Sequence, residues 1–221
     1  MQDSADGLRR VDPGYRAARG KIRFSKTEVL HIAAAIAVLS IAFSLIMRDS
    51  YLDPDPTKNI ILIVGMSFML VVCSFLFHEF GHKFVAQRYN TWSEFRAYPA
   101  GLAMALFFSL VIGVLFAAPG AVYIRGNIDT AMNGKISLAG PAVNFVIAAI
   151  AIGVCLMLDP STLIYSIIRM LAYLNAFLGL FNMLPIMPFD GSKIVRWSIP
   201  IYVITAAIGA VEFIIIYTSV V

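Results

Sequence analysis

Two histidines four residues apart, with a glutamate directly after the first, bring metal chemistry within reach at His78-Glu79-Phe80-Gly81-His82. Residues four apart lie on one face of a helix, so His78 and His82 offer two imidazoles to one metal ion. Glu79 lies beside them as a candidate general base. Together these groups are equipped to activate a water molecule. The setting is unusual, because nineteen uncharged residues, Asn59 to Phe77, run straight into the motif. A metal and a water molecule are therefore expected inside a membrane protein.

A catalytic zinc site takes three protein ligands and keeps a fourth position open for water. The candidate third ligand is Asp190, at the end of Asn182-Met183-Leu184-Pro185-Ile186-Met187-Pro188-Phe189-Asp190-Gly191. An ionisable residue between apolar segments is costly and points to function. Pro185 and Pro188 each remove a backbone donor, and the carbonyls they free are tolerable at membrane depth only against protein or a wet cavity. Gly191 is expected to give the chain a flexible exit. The plain alternative is an aspartate that merely starts the next helix, and the preceding HExxH weighs against it. Ligand type alone prefers zinc over iron or cobalt.

The elements that must carry these residues are apolar throughout. The chain is 60% hydrophobic and 14% charged, with mean hydropathy +0.83. Its apolar residues come in long runs, the pattern of lipid-facing helices and not of a soluble core. Cys73 and Cys155 fall inside such runs and read as small buried hydrophobes, not as a disulfide framework. Residues 1–26 hold Arg9, Arg10, Arg16, Arg19, Lys21, Arg23 and Lys26. Positive charge of this kind marks a cytoplasmic segment, so no nucleic-acid partner is expected. Two domains result: a cytoplasmic basic segment at 1–26 and a membrane-embedded part at 27–221.

The first span opens with Ser25-Lys26-Thr27-Glu28, spaced as a capping box, and runs to Met47. His31, in its first turns, is left out of the site as an interfacial or hydrogen-bonded residue. An acid-leaning turn at 48–58 suits the outer face. The second span enters near Asn59, and nineteen residues at ~1.5 Å each reach about 28 Å, which delivers His78 near the cytoplasmic side. Its helix continues to about Tyr89. Further spans are expected from Ile136 to Leu158, from Ser161 to Phe181, where Arg169 interrupts, and from Ile199 to Val220. The stretch 98–124 is apolar but punctuated by Pro99, Gly101, Gly113 and Pro119-Gly120. If it crossed, Asp190 would finish on the opposite side from His78. The expected fold is therefore an all-α polytopic membrane protein with five spanning helices and a re-entrant segment at about 98–122, six spans being the alternative.

The two motifs together resemble the site-2 protease family of intramembrane zinc metalloproteases. The resemblance rests on H-E-F-G-H in one membrane helix, N-x-x-P-x-x-x-x-D-G at the end of a later one, and Gly140-Pro141-Ala142-Val143-Asn144 opening the helix between them. It covers residues 59–197 in register. It implies one zinc per chain bound by His78, His82 and Asp190, water activated by Glu79, and assistance from Asn182 near the reacting carbonyl. Asn144 is expected to be structural, packing through Gly140-Pro141. One departure is the long stretch between the HExxH helix and the Gly-Pro helix, where family members often have a short one. The implied activity is hydrolysis of peptide bonds within transmembrane helices. The expected partners are single-span membrane proteins already trimmed by another protease, with the lipid bilayer around them. Location in the plasma membrane is expected, with the active site toward the cytoplasm. The rival readings are a membrane metal transporter or sensor using the same ligands, and a catalytically silent scaffold, against which Glu79 counts.

Overall fold

The computed structural model describes residues 22–47, 56–114 and 119–218, and side chains are not described at 56–59. The basic segment 1–21 and residues 48–55 of the acid-leaning turn lie outside the described residues.

Helix α1 spans Lys26–Met47. Half of its capping box forms: the Glu28 amide donates to Ser25 Oγ at 3.1 Å. The Glu28 side chain does not return to the helix end but turns inward. His31 Nδ1 accepts the backbone N–H of Ala97 at 3.1 Å, the hydrogen-bonded role expected of it. Helices α2 (Pro56–Val71) and α3 (Phe77–Arg88) join through a π turn, Val72–Leu76, into one continuous rod. There the Phe77 amide reaches back five residues, to the carbonyl of Val72. Such single π turns inside α-helices are frequent at functional sites, and this one ends directly before His78.

Strand β1 (Trp92–Ala97) follows, then α4 (Pro99–Val111) and strand β2 (Gly120–Arg125). The strands pair antiparallel, with Trp92 opposite Arg125 and Ala97 opposite Gly120. Tyr98 N donates to Pro119 O at 2.9 Å, so the chain leaves and returns at one point. Helix α4 has 13 residues; at ~1.5 Å each it covers about 20 Å, short of a bilayer's roughly 30 Å. Gly113 ends it with φ 70°, where a Cβ would be strained. The described chain runs out along α4 and is back beside its start at Pro119, the path a re-entrant element would take. The two strands lie outside the expected all-helical set. Their pairing satisfies backbone that would otherwise stand bare beside an apolar helix.

Helix α5 (Thr130–Cys155) begins earlier than its apolar run, because Asp129 caps it by accepting from the Met132 amide at 2.7 Å. Helices α6 (Leu163–Asn182), α7 (Gly191–Trp197) and α8 (Ile199–Thr218) complete the chain. Among the described residues, five helices are long and apolar enough to cross a membrane: α1, the rod ending at Arg88, α5, α6 and α8. The chain is an integral membrane protein with an all-α membrane architecture. Its buried clusters tie the hairpin and α4 to α1 and the end of α2, through Ile32, Leu39, Val71, Phe95 and Leu102, with Phe75 and Leu76 of the π turn packed against them. A second cluster ties α7 and α8 to α5, through Phe145, Met183 and Ile194.

Candidate metal centre

The rod delivers His78 and His82 to one face of α3, as their spacing requires, and both are buried. Asp190 reaches them from the loop between α6 and α7. Its Oδ2 lies 3.5 Å from His78 Nε2 and 3.0 Å from His82 Nε2, and the two Nε2 atoms are 3.0 Å apart. Ligand bonds of ~2.0–2.1 Å in tetrahedral array place donor atoms roughly 3.3 Å from one another. The three donors fit one divalent ion in spacing and in chemistry. Among the described residues they form the one cluster of this kind.

Asp190 stands at the N-cap of α7, where an ordinary aspartate would bond the helix amides. It makes no such bond. Its Oδ2 is given to the histidines, and its Oδ1 accepts from Lys193 Nζ at 3.2 Å. Burial pushes the carboxyl up, while His82 and His78, when protonated, draw it well below the usual carboxylate range. Gly191 is no flexible exit: a Cβ there would run into the carbonyls of Met183 and Leu184. It lets the aspartate loop fold back tightly on the end of α6.

Both imidazoles point Nε2 at the ion site because their Nδ1 atoms are engaged elsewhere. His82 Nδ1 donates to the carbonyl of Ile136 at 2.8 Å. His78 Nδ1 donates to Asn144 Oδ1 at 2.5 Å. Asn144 in turn donates to Ser74 O in the π turn and to Asn175 Oδ1, at 3.0 and 2.8 Å. Asn175 donates to Ser74 Oγ and Leu171 O, both at 2.9 Å. Such outer partners fix the tautomer and ring orientation of metal-binding histidines. Asn144 is thus structural, by holding the His78 ring and not by packing alone. Asn175 went unnoticed in the sequence; the available signal was a carboxamide in the middle of an apolar span. Gly140 also faces the site, and a Cβ on it would strike both imidazoles. Pro141 stands inside α5, not at its start.

Glu79 is buried beside the cluster, and the backbone amide of Val122 on β2 stands within hydrogen-bonding reach of its carboxyl. Asn182 is half-buried in the last turn of α6, where its amide donates to Leu178 O at 2.9 Å. Arg169 sits partly buried in α6, and its Nε has no partner among the described residues.

A protein of Methanocaldococcus jannaschii named "Putative zinc metalloprotease MJ0611" is 41% identical to this chain over 177 residues, 80% of this chain and 87% of the relative. This chain belongs to peptidase family M50, whose family model it matches. The family model itself matches residues 160–203, the stretch that carries Asn182 and Asp190. "Putative zinc metalloprotease Rip2" of Mycolicibacterium smegmatis is 30% identical over 191 residues, 80% of this chain and 71% of that protein. "Zinc metalloprotease MJ0392" of M. jannaschii is 28% identical over 148 residues, which cover 62% of this chain and 38% of the relative. No solved structure matches this M50 chain. The family is the site-2 protease family, whose two motifs converge here in one buried cluster.

Proposed function

We propose that this M50 protein is an intramembrane zinc metalloprotease that hydrolyses peptide bonds within transmembrane helices of other proteins. The observation that carries this reading is the convergence of His78, His82 and Asp190 with Glu79 buried beside them. The three residues would hold one zinc per chain through Nε2, Nε2 and Oδ2. Zinc bound there supplies Lewis acidity and lowers the pKa of water to about 7.

Everything else is the work of the chain. Asn144 and the Ile136 carbonyl hold the two imidazoles as neutral Nδ1–H tautomers with Nε2 facing inward. Glu79 takes the proton of the attacking water and passes it to the leaving amine nitrogen. Asn182 is the proposed donor to the developing oxyanion, and its carboxamide would have to leave the Leu178 carbonyl to serve. The surrounding helices exclude bulk water, so the proton moves between fixed groups. The re-entrant segment is proposed as part of the substrate entrance.

A substrate helix hides its scissile amide in its own hydrogen bonds and must unwind before attack. Substrates are therefore proposed to be single-span proteins with helix-breaking residues near the cut, trimmed beforehand by another protease. The proposed location is the plasma membrane, with basic segment 1–26 and the active site on the cytoplasmic side. A transporter using the same ligands would need polar residues through the rest of the rod. From Ile60 to Val72 there is only Ser67, buried against Met47.

The test is incubation of the purified protein with a panel of single-span membrane proteins, comparing wild type with Glu79→Gln. Cleavage by wild type alone supports the reading. Equal products from both proteins would remove it.

A further inference from the structure

The residue after the second histidine is a lysine, and it is fully buried. Lys83 Nζ donates to both oxygens of Glu28, each at 2.9 Å, and to the carbonyl of Ser93 at 2.8 Å. All three of its protons are therefore placed. Its outer side lies 4.6 Å from the centre of the Phe24 ring. Glu28 is equally buried, and its Oε1 also accepts the backbone N–H of Phe95 at 2.9 Å. Ser93 Oγ returns a bond to the Lys83 carbonyl at 3.3 Å. One ion pair thus joins the start of α1, the helix of the metal ligands and strand β1.

The register carries the connection further. Phe95, whose amide Glu28 holds, pairs across the sheet with Val122. Val122 is the residue whose amide stands beside the carboxyl of Glu79. Stability alone gives no reason for charges here, since apolar replacement of a buried ion pair is often neutral or stabilising. What charges with directional hydrogen bonds add is a fixed height and distance for the strand.

We propose that the buried Glu28–Lys83 pair is a latch that sets the β1–β2 hairpin beside Glu79, so that Glu28 and Lys83 are positioning residues. In its catalytic consequence the latch rests on the reading of Glu79 as the general base. It acts through β1 and β2 and touches no reacting atom. Removing one charge leaves the other buried and unpaired, which threatens folding itself. Removing both, as in Glu28→Gln/Lys83→Met, takes away that penalty and leaves only the loss of the latch. The carboxamide introduced in place of Glu28 can still accept from the Phe95 amide, but the Ser93 carbonyl loses its lysine donor.

The experiment compares full-length wild type, Glu28→Gln and Glu28→Gln/Lys83→Met. It measures zinc content, melting temperature, hydrogen–deuterium exchange at 92–97 and 120–125, and cleavage kinetics. The double variant is expected to keep its zinc and its melting temperature. Its hairpin amides should exchange at least ~10-fold faster, and kcat should fall by roughly 10²-fold with a smaller change in KM, the scale of a ~1 Å misplacement. A double variant with wild-type hairpin protection and wild-type kcat would overturn the latch. Should Glu28→Gln alone fail to fold, the double variant still decides. If wild type cleaves nothing, the protease reading fails, while the exchange measurement still reports whether the pair holds the hairpin.

Discussion

At the centre, orientation is imposed on His78 and His82 by groups that do no chemistry themselves. Asn144 is buried with its carboxamide fully engaged, so it has no freedom to turn away from His78. Asn144→Ala should weaken metal binding or activity by roughly 10- to 100-fold, as loss of such partners does elsewhere. A zinc titration checks this, and unchanged affinity would show that the ring is held by other means. Gly140 acts by what it lacks. Gly140→Ala should force both imidazoles aside and lower zinc occupancy while helicity persists, read by metal analysis beside circular dichroism. Asp190→Ala removes the third donor and should lose most of the metal; full zinc in that variant would reassign the ligand. The convergence of His78, His82 and Asp190 was legible in the sequence because helical spacing and a lone acid among apolar residues encode it directly. Asn175 was not, because its role arises only when α6 packs against the π turn.

The elements show the same division. Long apolar runs announce spanning helices by length alone, and α1, α5, α6 and α8 lie close to where those runs fall. The π turn left no trace, since a five-residue hydrogen-bond ring changes no composition. The hairpin was hidden for another reason: its strands are separated by α4, and pairing at that distance follows from the whole re-entrant excursion. Conflict in the span count nevertheless pointed to a segment that does not cross, and Tyr98 bonded to Pro119 accords with that expectation. A consequence is that α4 should be lipid-exposed yet reachable from one side only. Leu110 and Val111, exposed at its tip, should as single cysteines resist charged maleimides added to the outer face. Ready labelling by a charged reagent from the outer face would mean that this segment spans.

Across the whole molecule, the site is assembled from segments far apart in sequence, and they meet only if the membrane topology is right. Asp129 and Ser161 flank opposite ends of α5. With Cys73 and Cys155 replaced by Ala, cysteines at Asn127 and Ser161 should label from opposite faces, Asn127 from the cytoplasmic one. Outside labelling of Asn127 would invert the proposed orientation. The central claim, though, is that binding and chemistry are divided between the three ligands and Glu79. The most direct measurement is zinc per chain in purified Glu79→Gln, taken beside its cleavage of a substrate that wild type cuts. The account predicts about one zinc per chain, as in wild type, with hydrolysis collapsed because the amide cannot accept the proton. Retained cleavage, or loss of the metal together with activity, would contradict it.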